Sequence, residues 1–202
     1  MPSTNTASVT PLAVADGPVL VDAGEAILKG ALESQVAVGF VAVPSASRFG
    51  GCLRAASGEA ALKLLARHQC EVAPGGNGAR CVDLALAAVR SGRSAVALVP
   101  GIDLVGAFAS LRDARASFRD PEQGLVLVLE DDPEGEGVLC PRRVAAAIGL
   151  PVLEPQDLAD VRDSIEHGLR LSRAGVVPVA VVVHRSMLAA METILARPNR
   201  VV

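Results

Sequence analysis

Four stretches of this chain are apolar without alternation: VAVGFVAVP (36–44), SAVALVP (94–100), GLVLVLEDD (124–132) and VVPVAVVVH (176–184). A strand with one wet face alternates apolar and polar residues, whereas a strand apolar on both faces must be covered on both. Segments of helical periodicity separate the runs, so helices are at hand to cover both faces. The pattern predicts an α/β fold: a single doubly wound, mostly parallel sheet of about six strands with helices on both faces.

The covering helices are expected at GEAILKGALESQ (24–35), with one buried face, and at SGEAALKLLARHQ (57–69), capped by Ser57. Further helices are expected at ARCVDLALAAVRSG (79–92), stopping at Gly92, and at LVGAFASLRDARASF (104–118). PRRVAAAIGL (141–150), DLADVRDSIEHGLRLSRAG (157–175, capped by Asp157) and SMLAAMETILA (186–196) complete the set. PVLVDAG (18–24), CEVAP (70–74) and PVLEP (151–155) read as short extended pieces. Residues 1–18 are expected to form a flexible tail and residues 19–202 one domain, with no linker and no repeat.

Composition removes several functions. The chain has no Trp, no Tyr and four Phe, so it lacks stacking platforms for bases. Its net charge of −3 provides no basic stripe for a phosphate backbone. No apolar run reaches the roughly 18 residues of a membrane span. The first residues lack the basic start of a signal peptide, and a cytoplasmic location is expected. Cys52, Cys70, Cys81 and Cys140 contain no C-x-x-C pair and read as reduced thiols.

Ligands of such sheets sit beyond the C-terminal ends of the strands. The loops in question are 44–47, 74–78, 100–103, 131–141 and 184–186. GGNG (75–78) has neither the Walker nor the dinucleotide-binding spacing. Its glycines either cradle an anion at a helix start or merely permit a tight turn. EDDPEGEGVLCPRR (130–143) clusters carboxylates without an EF-hand spacing and reads as a solvated acidic loop rather than a metal site. His68 and His167 fall on helix surfaces. His184, followed by Arg185 and Ser186, is either a catalytic histidine or part of a polar cluster. No serine sits in a G-x-S-x-G elbow.

The ordered segments resemble the pyrimidine-binding (PYR) domain of the indolepyruvate and other 2-oxoacid:ferredoxin oxidoreductases, which are thiamine diphosphate enzymes. The likeness runs over residues 22–190. GEAILKGALESQVAVGFVAVPS is similar to the family's opening helix and strand, which lead to a T-P-S turn. NGARCVDLALAAVRSGRSAVALV is similar to its N-E helix and following strand, GLVLVLEDDP to the strand ending in A-D-D-P, and IGLPVLEPQDLADVRDSIEHGLRLSRAGVVPVAVVVHR to its closing helix and strand.

The resemblance implies that Pro44, Ser45, Asn77 and Gly78 border the cofactor. In the family the asparagine is followed by a glutamate that hydrogen-bonds the pyrimidine ring and activates the cofactor. Here Gly78 stands in its place, which implies that no catalytic residue remains at that position. Val43 replaces the threonine of T-P-S, PGID (100–103) replaces a K-H-V-G turn, and EGEGVLCPRR (134–143) replaces a longer polar loop. Glu71 is the nearest earlier carboxylate and reaches the site only if its strand bends.

The family's diphosphate-binding (PP) domain carries a G-D-G motif, which this chain lacks. The resemblance therefore implies a subunit of a split enzyme that acts on a 2-oxo acid and needs a separate PP-domain subunit. A non-catalytic PYR-like structural or regulatory subunit, as a homodimer or hetero-oligomer, is the alternative. A third reading is a binding protein for another ligand, such as a nucleotide or acyl group, held by Ser45, Ser47, Arg48, Asn77, Asp103, Arg142 and Arg143.

Overall fold

In the computed structural model, which describes residues 10–42, 48–114, 118, 122–133 and 140–202, the four doubly apolar runs become the four interior strands of one parallel sheet. In chain order, the described elements open with a 3₁₀ turn (Pro11–Ala13), β1 (Gly17–Asp22), α1 (Ala23–Glu33) and β2 (Val38–Ala42). Next come α2 (Gly50–Ser57), α3 (Glu59–Arg67), β3 (Glu71–Gly76), α4 (Gly78–Arg90) and β4 (Ala95–Pro100). A 3₁₀ segment (Gly101–Ala107), α5 (Phe108–Arg112), β5 (Leu125–Asp131), α6 (Pro141–Ala147) and β6 (Val152–Leu153) follow. The chain closes with α7 (Leu158–Gly175), β7 (Val179–His184), α8 (Arg185–Leu188) and β8 (Met191–Ala196).

The six-stranded sheet has the order β3-β2-β4-β5-β7-β6, and every pairing in it is parallel. Successive side chains of a strand point to opposite faces. Leu125, Leu127 and Leu129 of β5 therefore join Val82, Leu86 and Val89 of α4 in one core layer. Val126 and Val128 join Ile27 of α1 and Val161, Ile165 and Leu169 of α7 in the other. Each Leu or Val so buried contributes about 1.5–3 kcal/mol relative to exposure. With no Trp or Tyr available, the layers close through small residues. A Cβ at Gly30 of α1 would lie 2.6 Å from the Arg162 carbonyl of α7, so glycine is what lets these helices touch.

Several local expectations are corrected. Helix α1 is buried on all sides except at Glu25, not on one face, because α2, α7 and the C-terminal residues enclose it. Its start is fixed by a capping box between Asp22 and Glu25. Ser57 does not cap α3; Gly58 does, without a side-chain bond, because Ser57 ends the unforeseen α2 and returns its hydroxyl to the Arg54 carbonyl. The helix expected at 104–118 is a 3₁₀ segment followed by the single short helix α5.

The closing helix expected at 186–196 is also absent. One turn, α8, leads to β8, which pairs antiparallel with β1. Within METILA the burial of Ile194 and Ala196, alternating with exposed Thr193 and Leu195, has the period of a strand. The folded body also begins before residue 19: Leu12 is buried beside Leu28 and Leu32, and β1 starts at Gly17. Residues 1–9 of the expected tail lie outside the described residues.

The C-terminal residues lie over a buried charged cluster. Lys29, which is fully buried, donates to the Arg197 carbonyl (2.8 Å) and to Asn199 Oδ1 (2.6 Å), and pairs with Glu33 at 3.3 Å. Glu33 also accepts from the Arg197 N–H and faces Arg162. Burial pulls the Lys29 ammonium below its ordinary pKa, and Glu33 opposes that shift.

Candidate functional site

Strand β2 connects onward to β3 on one side of it, and the sheet resumes with β4 on its other side. The winding direction reverses there, and the crevice above such a reversal is where open α/β sheets hold ligands. Its described walls are the β3–α4 turn, Gly75–Gly78, and the segment after β4, Gly101–Asp103. Pro44 and Ser45, expected beside the cofactor, lie outside the described residues, as does Ser47.

The three glycines of GGNG are each accounted for by local geometry. Gly75 packs so tightly under α4 that a Cβ there would sit 2.2 Å from Cys81 Sγ. Gly76 has φ +83°, a left-handed conformation that other residues rarely adopt. Asn77 is the N-cap of α4, its Oδ1 accepting from the Arg80 N–H at 2.9 Å.

Gly78 is the informative position. Its N–H donates to Asp103 Oδ2 at 2.9 Å. A Cβ at Gly78 would meet Asp103 Cβ at 2.4 Å, Val99 Cγ1 at 2.7 Å and Asp103 Oδ2 at 2.9 Å. A carboxylate therefore does border this point of the crevice, but it comes from the loop after β4. PGID, which the sequence presents as a lost K-H-V-G turn that leaves Asp103 among the crevice's polar residues, is what delivers it. The complementary pair of a missing side chain at 78 and an acidic one at 103 was the available signal. Glu71 is excluded from this role: it starts β3 at the opposite end of the sheet, beside Val38, and pairs with Arg93.

Two first-turn N–H groups of α4, those of Gly78 and Arg80, are thus taken by Asp103 and Asn77. The tight-turn account of GGNG fits this geometry, and the helix start is internally capped. Burial and the nearby Asp103 carboxylate push the Cys81 thiol up to about 11. Cys70 is likewise pushed up to about 11, chiefly by burial, and Cys52 is raised further still.

The acidic stretch after β5 is not uniformly solvated. Glu130 and Asp131 are buried at the strand's end. Asp131 pairs with Arg142 at 2.8 Å, and Arg142 also bonds Glu154 at 2.7 Å. Asp132 is bound by Arg185, and Glu134 and Glu136 lie outside the described residues. Desolvation raises the Glu130 carboxyl above its usual range, opposed by the Arg48 N–H and reinforced by Asp132. Among the described residues, no group of three or more His, Cys, Asp or Glu side chains could hold a metal ion. His68 caps α3 and meets the Arg200 carbonyl, His167 is exposed on α7, and His184 caps α8 through Ser186.

No family model matches the sequence. No curated protein matches it either. Among solved structures, the fold is similar to a chain of 2-oxoglutarate:ferredoxin oxidoreductase from Magnetococcus marinus, determined with 2-oxoglutarate, coenzyme A and succinyl-CoA bound. The TM-score is 0.71 at 15% identity, over 90% of this chain and 32% of that one. Likeness at this identity establishes a shared fold. This chain spans about a third of the oxidoreductase chain's length. Among the described residues, no helix is long and apolar enough to cross a membrane.

Proposed function

We propose that this chain is a PYR-type subunit of a thiamine diphosphate-dependent 2-oxoacid oxidoreductase or decarboxylase, working with a separate PP-domain subunit. The observation that carries the reading is the Asp103 carboxylate beside Gly78, at the point where the resemblance puts an activating glutamate. The fold shared with a 2-oxoglutarate:ferredoxin oxidoreductase supports it.

The residues present fit the pyrimidine half of the cofactor in one respect: an acidic oxygen borders the crevice at the switch point of the sheet. Among the described residues no cluster of metal-ligating side chains is present, and the reading assigns the diphosphate and metal ligands to the partner. When bound, thiamine diphosphate supplies the carbanion chemistry that 2-oxo acids require. The chain's own part is narrower. Oδ2 of Asp103 is held by the Gly78 N–H, which fixes the carboxylate's orientation. In this reading the other oxygen, Oδ1, accepts a hydrogen bond or a proton from a group in the crevice. A carboxylate positioned in this way contributes about 10²–10⁴-fold to a proton-transfer step.

A second reading, a non-catalytic subunit, is favoured by one specific observation: both Asn77 and Asp103 already satisfy N–H groups of α4. Co-purification with candidate PP-domain chains, followed by calorimetric titration of thiamine diphosphate, separates the two. The chain has no Trp or Tyr, so calorimetry is preferable to intrinsic fluorescence. The first reading expects a complex that binds the cofactor and turns over a 2-oxo acid. A stable complex that binds no cofactor supports the second.

A further inference from the structure

A second cavity opens at the same end of the sheet, above β5 and β7. Its volume is about 270 Å³, and it is lined by Arg48, Asp132, Pro133, His184, Arg185, Ser186 and Ala189. Three separate connections build it: the residues after β2, after β5 and after β7. Convergence of polar groups from three loops on one hollow is how α/β folds assemble ligand sites.

The lining is ordered by its own contacts. Arg185 Nη1 donates to both oxygens of Asp132, at 2.9 and 2.7 Å, which tethers that end of the guanidinium. His184 Nδ1 accepts from the Ser186 N–H at 3.2 Å and lies 2.7 Å from Ser186 Oγ. An Nδ1 that accepts carries no proton, so in the neutral ring the proton sits on Nε2. The ring's remaining polar atom is therefore a donor. Among the described lining residues, Arg48 and Arg185 supply two guanidiniums and Asp132 one carboxylate. Asp131 is directed to Arg142 instead, and the buried Glu130 carboxyl lies beneath, in the field of Arg48 and Arg185. Arginine and a histidine N–H are donors suited to a carboxylate or phosphate.

We propose that this cavity is a binding site for a small acid anion, a carboxylate or a phosphate, received by Arg48, Arg185 and the Nε2–H of His184. A hollow of about 270 Å³ has room for a small acid. The site is separate from the Gly78–Asp103 pair, and the proposal stands independently of the oxidoreductase reading.

The test is titration of the full chain with inorganic phosphate and, separately, with succinate, followed by calorimetry and by the imidazole proton signals in NMR. The chain has three histidines, so the signals can be assigned with the His68→Gln, His167→Gln and His184→Gln variants. One of the anions should bind with a Kd of about 1 mM or tighter. The His184 signals should move on binding while those of His68 and His167 stay. Arg48 is exposed, so Arg48→Gln should fold normally, and it should weaken binding by about tenfold, the loss of one charge-assisted hydrogen bond. Preference for phosphate or for succinate identifies the acid. The proposal is overturned if neither anion binds by about 10 mM. It is equally overturned if binding is unchanged in Arg48→Gln and leaves the His184 signals in place.

Discussion

Replacing Gly78 with alanine sets two opposing effects against each other, and the structure decides between them. Gly78 is the first residue of α4, and Gly→Ala within a helix is ordinarily worth up to about 1 kcal/mol in favour of alanine. Here the new Cβ would lie 2.4 Å from Asp103 Cβ and 2.7 Å from Val99 Cγ1. Overpacking of this kind costs about 1–3 kcal/mol. Movement of Asp103 away from the intruding methyl would also break its bond from the Gly78 N–H, a charge-assisted contact worth about 1.5–3 kcal/mol. The net expectation is a loss of about 1.5–5 kcal/mol, the clash and the lost bond together outweighing the propensity gain. For a chain of this size each kcal/mol moves Tm by about 2–4 °C, so Tm should fall by about 3–20 °C. Far-UV circular dichroism melts are the assay. The Gly78→Ala/Asp103→Gly double variant should recover part of the loss relative to the sum of the two single variants, because glycine at 103 removes the facing Cβ. An unchanged or higher Tm for Gly78→Ala alone would refute the claim that Asp103 occupies the side-chain space of position 78.

Other consequences can be measured alongside. Lys29→Met leaves the Arg197 carbonyl, Asn199 Oδ1 and one side of Glu33 without their buried partner, and urea denaturation should show a loss of about 3–5 kcal/mol. Cys140 is partly exposed, and hydrogen bonds from Arg143 and Arg142 draw its thiol below the ordinary value, whereas the other three are buried and raised. A thiol reagent at neutral pH should therefore label one cysteine in the native chain and four in denaturant; rapid labelling of all four without denaturant would contradict this. Burial raises the Glu130 carboxyl above its usual 4.5, so the native state binds more protons than the unfolded chain between that value and the raised one. Stability attributable to Glu130 is therefore greatest at acid pH and lost as pH rises through that window. Glu130→Gln should be relatively more stable than the parent at pH 7 than at pH 4, as read by denaturation midpoints.

The sheet was legible in the sequence because its interior strands cannot be anything else. Val, Leu and Ala on both faces over six or seven residues leave only a doubly covered strand, and the four such runs occupy the four interior places. The ends were harder to read. METILA has helix-forming residues, and only its pairing with Gly17–Asp22, far away in sequence, makes it a strand. GGCLRAAS, with two glycines at its start, shows little intrinsic helix preference, and α2 exists because Cys52 and Ala56 bury against neighbours. The candidate site was half legible. Glycine at 78 could be read as a loss, but the carboxylate that fills its space comes from 25 positions later, a relation that belongs to the tertiary structure. Likewise nothing local links Arg48, Asp132 and His184; the sheet order β2-β4-β5-β7 brings their loops to one end.

The account of function rests on the proton-handling role of Asp103, and Asp103→Asn isolates it. Asparagine keeps the shape and can still accept from the Gly78 N–H, so folding and assembly with a PP-domain chain should be preserved. The decisive measurement is thiamine diphosphate-dependent turnover of a 2-oxo acid by that assembly, parent against variant. The account predicts a loss of about 100-fold or more with assembly and cofactor binding intact; equal turnover in the two assemblies would contradict it.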